Sequence, residues 1–239
     1  MIPLRDANPI RRTPLVTLAL IAACFIAFAW ELGVLASSGE TGLNELFTER
    51  GVVPARVSEA LTTGRQAADA TVDVLTSLFL HGGWLHLLGN MLFLWIFGNN
   101  VEDRLGRVAF LAFYLIGGIA AALTQVAIDP KSTLPVVGAS GAIAATLGAY
   151  IVLFPRARIL SLVFLGFFYQ LIEVPALFVL GFWFVLQLID GIASLGLSSS
   201  GEGGVAFFAH IGGFVAGLVI ALMIRGRRGP GPLRPATVG

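Results

Sequence analysis

Charge is scarce in this chain: Asp, Glu, Lys and Arg make up 12% of its 239 residues, about half of what soluble domains carry. No basic patch of the kind that grips nucleic acid is present, and a formal net charge of +1 selects no partner by sign. The one cysteine, Cys24, excludes an internal disulfide, and its apolar neighbours mark it as a packing residue. There is no polar block long enough to fold separately, no internal repeat, and no convincing small-residue cleavage site after the first apolar run, which is therefore expected to be retained. What the chain has in abundance is hydrophobic residues, 56% of the total. They fall in runs near the ~20 residues needed to cross a bilayer. The composition specifies a membrane protein with a single domain.

Six spans are predicted. The first covers about Leu15–Leu35, with Glu31 near its far end, and the second runs from near His81 to Gly98-Asn99-Asn100. The third covers about Val108–Ile128 and the fourth runs from Gly138 to Phe154-Pro155. Between Arg158 and Asp190 the apolar run is too long for one span, yet Gln170, Glu173 and Pro175 interrupt it. Halving it leaves pieces of about a dozen residues, too short to cross. The reading is one crossing segment, about Ala176–Ile192, preceded by a hydrophobic segment lying at the interface or against the bundle. The sixth span is about Gly204–Ile224.

With six spans both termini share a side. That side holds eleven arginines (Arg5, Arg11, Arg12, Arg104, Arg107, Arg156, Arg158, Arg225, Arg227, Arg228 and Arg234), against four basic residues on the other (Arg50, Arg56, Arg65 and Lys131). Basic loops stay cytoplasmic, so both termini are expected inside. Residues 1–13 then form a cytoplasmic segment, 14–225 the membrane domain, and 226–239 a Gly-, Pro- and Arg-rich tail expected to be disordered. The long outer loop, about 36–76, carries Leu43, Leu46 and Phe47, then Val57 and Leu61, at helical spacing. Short amphipathic helices on the outer leaflet fit that pattern, and so does an ordinary solvated loop.

Against this background a few polar residues stand out. His86 and Asn90 lie four apart in the second span, hence on one helix face, roughly 8–14 Å below its start. Ser140 lies near the outer end of the fourth span, and His210 roughly 9 Å into the sixth. All four share the outer half of the membrane. Each has a bland alternative: Ser140 as a small packing residue among Gly138, Ala139, Gly141 and Ala142, Asn90 as interhelical hydrogen-bond glue. His81, at the mouth of its span, is unremarkable. Histidine within a span is rare, however, and polar groups in lipid usually mark function. A serine and histidines at one depth point to covalent chemistry inside the membrane.

The residues His86-Leu-Leu-Gly-Asn90, Glu102-Asp-Arg104-Leu-Gly106, Gly138-Ala-Ser140-Gly141 and Ala209-His210-Ile-Gly-Gly213-Phe-Val-Ala-Gly217 together resemble the rhomboid family of intramembrane serine proteases. The resemblance covers roughly residues 14–225 and implies an all-α, six-transmembrane-helix bundle. It implies a Ser140–His210 dyad without an acidic third member, and an oxyanion hole made of His86, Asn90 and the Ser140 N–H. It further implies glycines that permit close packing (Gly138, Gly141, Gly213 and Gly217), structural roles for Glu102 and Arg104, and a lateral gate in the fifth span around Phe182, Trp183 and Phe184. No acid lies at matching depth: Glu202 is eight residues before His210, and Asp190 is near the fifth span's outer end.

Two departures are visible. Some rhomboids carry an aromatic residue four positions after the serine, stacked on the imidazole. That position here is Ala144, so another residue must hold the His210 ring. The Trp-Arg pair found in the first outer loop of many members is also missing before His81.

The expected substrates are single-span membrane proteins with helix-weakening residues near the outer face. No metal or cofactor is expected, since three histidines without H-E-x-x-H make a poor zinc site. A transporter is disfavoured by the lack of repeated halves. The remaining alternative is a catalytically inactive relative that binds transmembrane helices. The plain six-span layout points to a prokaryotic plasma (inner) membrane with the site opening outward; oligomeric state is left open.

Overall fold

The computed structural model of the chain describes residues 2–165, 168–195 and 206–225. The predicted basic tail, the sixth span's first residues from Gly204, and Glu202 lie outside them.

The first apolar run forms α1 (Leu15–Arg50), longer than the predicted span. It bends at Gly39, where φ is +67°, a backbone state glycine adopts at little cost. Leu43, Leu46 and Phe47 therefore continue this helix past the bend. Next come α2 (Pro54–Thr63), which begins on a proline and closes on left-handed Gly64, and α3 (Ala67–Ser77). Their apolar faces are covered by protein: Val57, Ala60, Ala70 and Val74 bury against Val52, Ala122 and Val126. Leu61, in contrast, points outward and is 66% exposed. Arg56 and Asp73 tie α2 to α3 by an ion pair of 2.9 Å. Burial raises the Asp73 pKa and the adjacent Arg56 opposes that shift.

The second predicted span is helical from Trp84 to Leu105, as α4 (Trp84–Phe93), a π-helical turn (Leu94–Gly98) and α5 (Asn99–Leu105). After Gly106 follow α6 (Arg107–Ile128) and α7 (Ser140–Leu153), then α8 (Ala176–Leu195) and α9 (Phe207–Ile224). Among the described residues four helices are long and apolar enough to cross a bilayer: α1, α6, α8 and α9. The helix α7 has 14 residues, so by length and composition four spans stand against the six expected from sequence.

The fold is mostly helical but not all-α. The segment expected at the interface or against the bundle is a hairpin, β2 (Arg158–Leu165) and β3 (Phe168–Pro175), with β1 (Ile2–Asp6) on its other side in an antiparallel sheet ordered β1-β2-β3. Its residues are mainly branched and aromatic, which favours strand, and Gly166-Phe167 divides the run into two strand-length halves. A continuous apolar run of that length carries no period that separates strand from helix. The Ala176 N–H donates to the Ala157 carbonyl at 2.9 Å, so the hairpin returns the chain to where α7 ended.

At this same end of the bundle two carboxyl groups fasten the N-terminal segment. Asp6 accepts from Asn100 (2.6 Å), Tyr150 (2.8 Å) and Asn8 (3.2 Å). Burial raises its pKa against the pull of the Tyr150 and Asn8 hydrogen bonds. Glu102, 2% exposed, caps α1: it accepts from the N–H groups of Val16 (3.0 Å) and Thr17 (2.7 Å) and from the Thr17 hydroxyl (2.7 Å). These are helix N-terminal donors with no intrahelical partner. Glu102→Ala strands all three, and is expected to lower stability by about 2–4 kcal/mol, read as a lower denaturation midpoint in detergent.

Candidate active site

Two glycine-rich helices build the site. Gly213 on α9 lies against the Gly141 carbonyl of α7, Gly217 against the Ala145 carbonyl, and Gly148 of α7 against the Phe214 carbonyl. At each of these points a β-carbon would overlap the opposing backbone, so only glycine permits the approach. The first two pairs advance together, four residues on each helix, so α7 and α9 start at one level and run in the same direction. Gly141 additionally faces the Ala121 side chain of α6.

Ser140 opens α7 and His210 lies in the first turn of α9. The Ser140 hydroxyl and His210 Nε2 are 2.7 Å apart. The other ring nitrogen, Nδ1, is 2.6 Å from the side-chain oxygen of Gln187 on α8. Both ring nitrogens of His210 thus have a polar partner, the serine hydroxyl on one side and an amide on the other. His210 is 9% exposed and Ser140 is partly open.

On α4, the Gly82 N–H donates to His86 Nδ1 at 3.3 Å, which leaves the hydrogen of that ring on Nε2. His86 Nε2 in turn faces Gly138: a β-carbon there would lie 2.7 Å from it. Gly138 also has φ +129°, so its backbone and the ring's approach both require glycine. Its N–H donates to the Ser77 carbonyl at 2.8 Å, which anchors the loop entering α7. Asn90, one turn beyond His86, is 9% exposed, and its Nδ2 is a buried donor with no partner among the described residues. An unpaired buried donor is costly to keep. The structure thus brings Ser140, His210, His86 and Gly138 into one site, with Asn90 one turn deeper and Gly141, Gly213 and Gly217 behind it.

Four contributors escape a reading of the sequence. Trp183 and Gln187 are four apart on α8, and both meet His210, with the indole centroid 5.9 Å from the imidazole. Their shared face of α8 was the available signal. His81, at the mouth of the second span, is buried, 1% exposed, its ring 5.2 Å from His86. Its N–H donates at 2.9 Å to Glu31, 2% exposed, which steadies the turn whose next N–H holds His86. Among the described residues no group of three or more His, Cys, Asp or Glu is arranged to hold a metal ion.

Residues 69–227 match the rhomboid domain family. The chain belongs to the rhomboid family. This rhomboid is similar to Rhomboid protein 1, mitochondrial, of Saccharomyces cerevisiae (31% identical over 156 residues, 62% of this chain and 40% of the relative). It also resembles Rhomboid-like protein 11, chloroplastic, of Arabidopsis thaliana (30% over 161 residues, 65% and 53%). A third relative is Rhomboid protease GluP of Bacillus subtilis (35% over 151 residues, 62% and 26%). The match thus spans between about a quarter and a half of each relative's length. The names place relatives in different organelles, so kinship alone assigns no membrane. With its apolar helices, this rhomboid is a multi-pass membrane protein.

Proposed function

We propose that this rhomboid is an intramembrane serine endopeptidase that cleaves a peptide bond in or near the transmembrane segment of single-span membrane proteins. The observation carrying the proposal is the 2.7 Å contact between the Ser140 hydroxyl and His210 Nε2. Ser140 attacks the substrate carbonyl as His210 Nε2 takes its proton. The imidazolium then protonates the departing amine, and water repeats the sequence on the acyl-enzyme. The oxyanion is received by His86 Nε2–H, Asn90 Nδ2–H and the Ser140 N–H, at a helix N-terminus whose dipole favours negative charge. Asn90→Ala is expected to lower kcat about 100-fold with little change in stability, because its Nδ2 has no partner to lose.

In this reading the helical run Trp84–Leu105 and α7 complete a six-span bundle. The excess of arginine on the side of the termini supports a cytoplasmic location for both and a site open to the outer face, and the plain six-span layout is the ground for placing the protein in the plasma (inner) membrane. A helical substrate hides its carbonyls in hydrogen bonds, so segments weakened by Gly, Pro or polar residues are preferred. The lateral path between α8 and the core, flanked by Phe182, Trp183 and Phe184, is the proposed gate.

Fluorophosphonate labelling of the purified protein in lipid tests the reading. Covalent modification at Ser140 in wild type, lost in Ser140→Ala, is the expected result. A folded wild type that stays unlabelled overturns it in favour of an inactive protein that binds transmembrane helices.

A further inference from the structure

We infer that Gln187 is a positioning residue for the dyad: its side-chain oxygen accepts the Nδ1 hydrogen of His210 and so fixes the tautomer in which Nε2 can take the serine proton. The inference rests on the dyad reading and goes beyond it, since that reading leaves Nδ1 without an assigned partner.

The argument starts from the ring. A neutral imidazole carries one hydrogen, and an unrestrained histidine favours the Nε2 position for it. In that form Nε2–H would donate to the Ser140 oxygen, and no lone pair on Nε2 would be left to take the serine proton. At 2.6 Å the Gln187 oxygen offers Nδ1–H a short hydrogen bond in a site that is largely buried, where an unmet donor is expensive. The orientation of the amide decides the outcome. Were its nitrogen to face Nδ1, it would donate there and drive the ring hydrogen to Nε2.

Trp183, one turn earlier on the same face of α8, limits ring rotation from the side, its plane tilted 38° to the imidazole. The two residues divide the task between them, one setting ring plane and the other proton placement. Ala144, fully buried on α7, contributes no side chain long enough for either. Glutamine differs from the aspartate of soluble serine proteases in carrying no charge. It keeps Nδ1–H in place through the whole cycle, in neutral ring and imidazolium alike, without placing a carboxylate in the membrane.

A packing role alone predicts that a side chain of equal volume suffices. Gln187→Met keeps the volume and removes the acceptor; Gln187→Glu keeps an acceptor. On a single-span substrate, Gln187→Met is expected to lower kcat by about 10–100-fold with KM unchanged, and Gln187→Glu to recover most of that loss. Wild-type kcat in Gln187→Met, or a Glu variant as impaired as Met, overturns the proposal.

A second measurement is independent of turnover. In Ser140→Ala protein carrying ¹⁵N-histidine, with the His210 signal assigned by its loss in a His210 variant, Nδ1 is expected to resonate as a protonated nitrogen, and to lose that signature in Gln187→Met. An unprotonated Nδ1 with Gln187 present overturns the positioning role while leaving fluorophosphonate labelling intact. Failure of labelling with the Nδ1 signature present sinks the dyad and not the contact.

Discussion

Ser140→Ala and His210→Ala are each expected to reduce cleavage of a single-span substrate by at least about 10⁴-fold, and the double variant to be no worse than either alone. The reason is that the two groups perform one act. Without Nε2 the hydroxyl keeps its proton and is a weak nucleophile; without the hydroxyl the base has nothing to activate. Independent contributors would instead multiply their losses. Ser140→Ala removes one oxygen from a partly open position, so its melting temperature should match wild type. His210→Ala leaves space beside Trp183 and should melt somewhat lower, which is why the serine variant is the cleaner comparison. Turnover within about tenfold of wild type in either variant would be incompatible with the dyad.

The second large effect concerns a residue with no chemistry at all. Gly217→Leu is expected to abolish the folded bundle, seen as loss of the monodisperse peak in detergent chromatography and of protease resistance. A β-carbon there overlaps the Ala145 carbonyl, and its two backbone neighbours in that peptide leave no rotamer as an escape. The obstacle is main chain within a helix, so relief requires the helices to part along their length. Gly213→Ala, one turn from His210, separates the same helices by a smaller amount beside the reacting groups. It should retain a fold but lose activity about 100-fold, because displacements near 1 Å are enough to spoil an aligned attack. Retained activity in Gly217→Leu would show that the close approach of α7 and α9 is dispensable.

Much of this site is legible in the sequence for one physical reason: polar groups are so disfavoured in lipid that Ser140, His86, Asn90 and His210 stand out against their surroundings. The glycines are legible because their four-residue spacing marks a face. Gln187 and Trp183 are harder to see. Gln187 sits inside an apolar helix with no motif around it, and Trp183 reads as part of a lateral gate; only the partner helix shows that both meet His210. The hairpin of β2 and β3 hides for a different reason, since eighteen apolar and polar residues between Arg158 and Pro175 show neither helical nor strand periodicity clearly. Glu31 and His81 escape because a carboxyl group that meets a backbone N–H fifty residues away leaves no local pattern.

The π-helical turn at Leu94–Gly98 sets the angular phase of the whole second helix. Asn90 and Glu102 are twelve residues apart, which in an unbroken α-helix would rotate one from the other by about 120°. The turn absorbs one residue, and the offset shrinks to about 20°. Asn90, one turn from His86, and Glu102, which caps α1 at the opposite end, therefore look toward the same interior. Removing one residue from within Leu94–Gly98 would leave an ordinary helix and swing Glu102 no further than its bulged position. An extra residue placed anywhere else along the helix would throw one of its two ends off the bundle axis. The wider, under-wound turn acts as the helix's timing mark, and it is the place where the length of this segment is free to change.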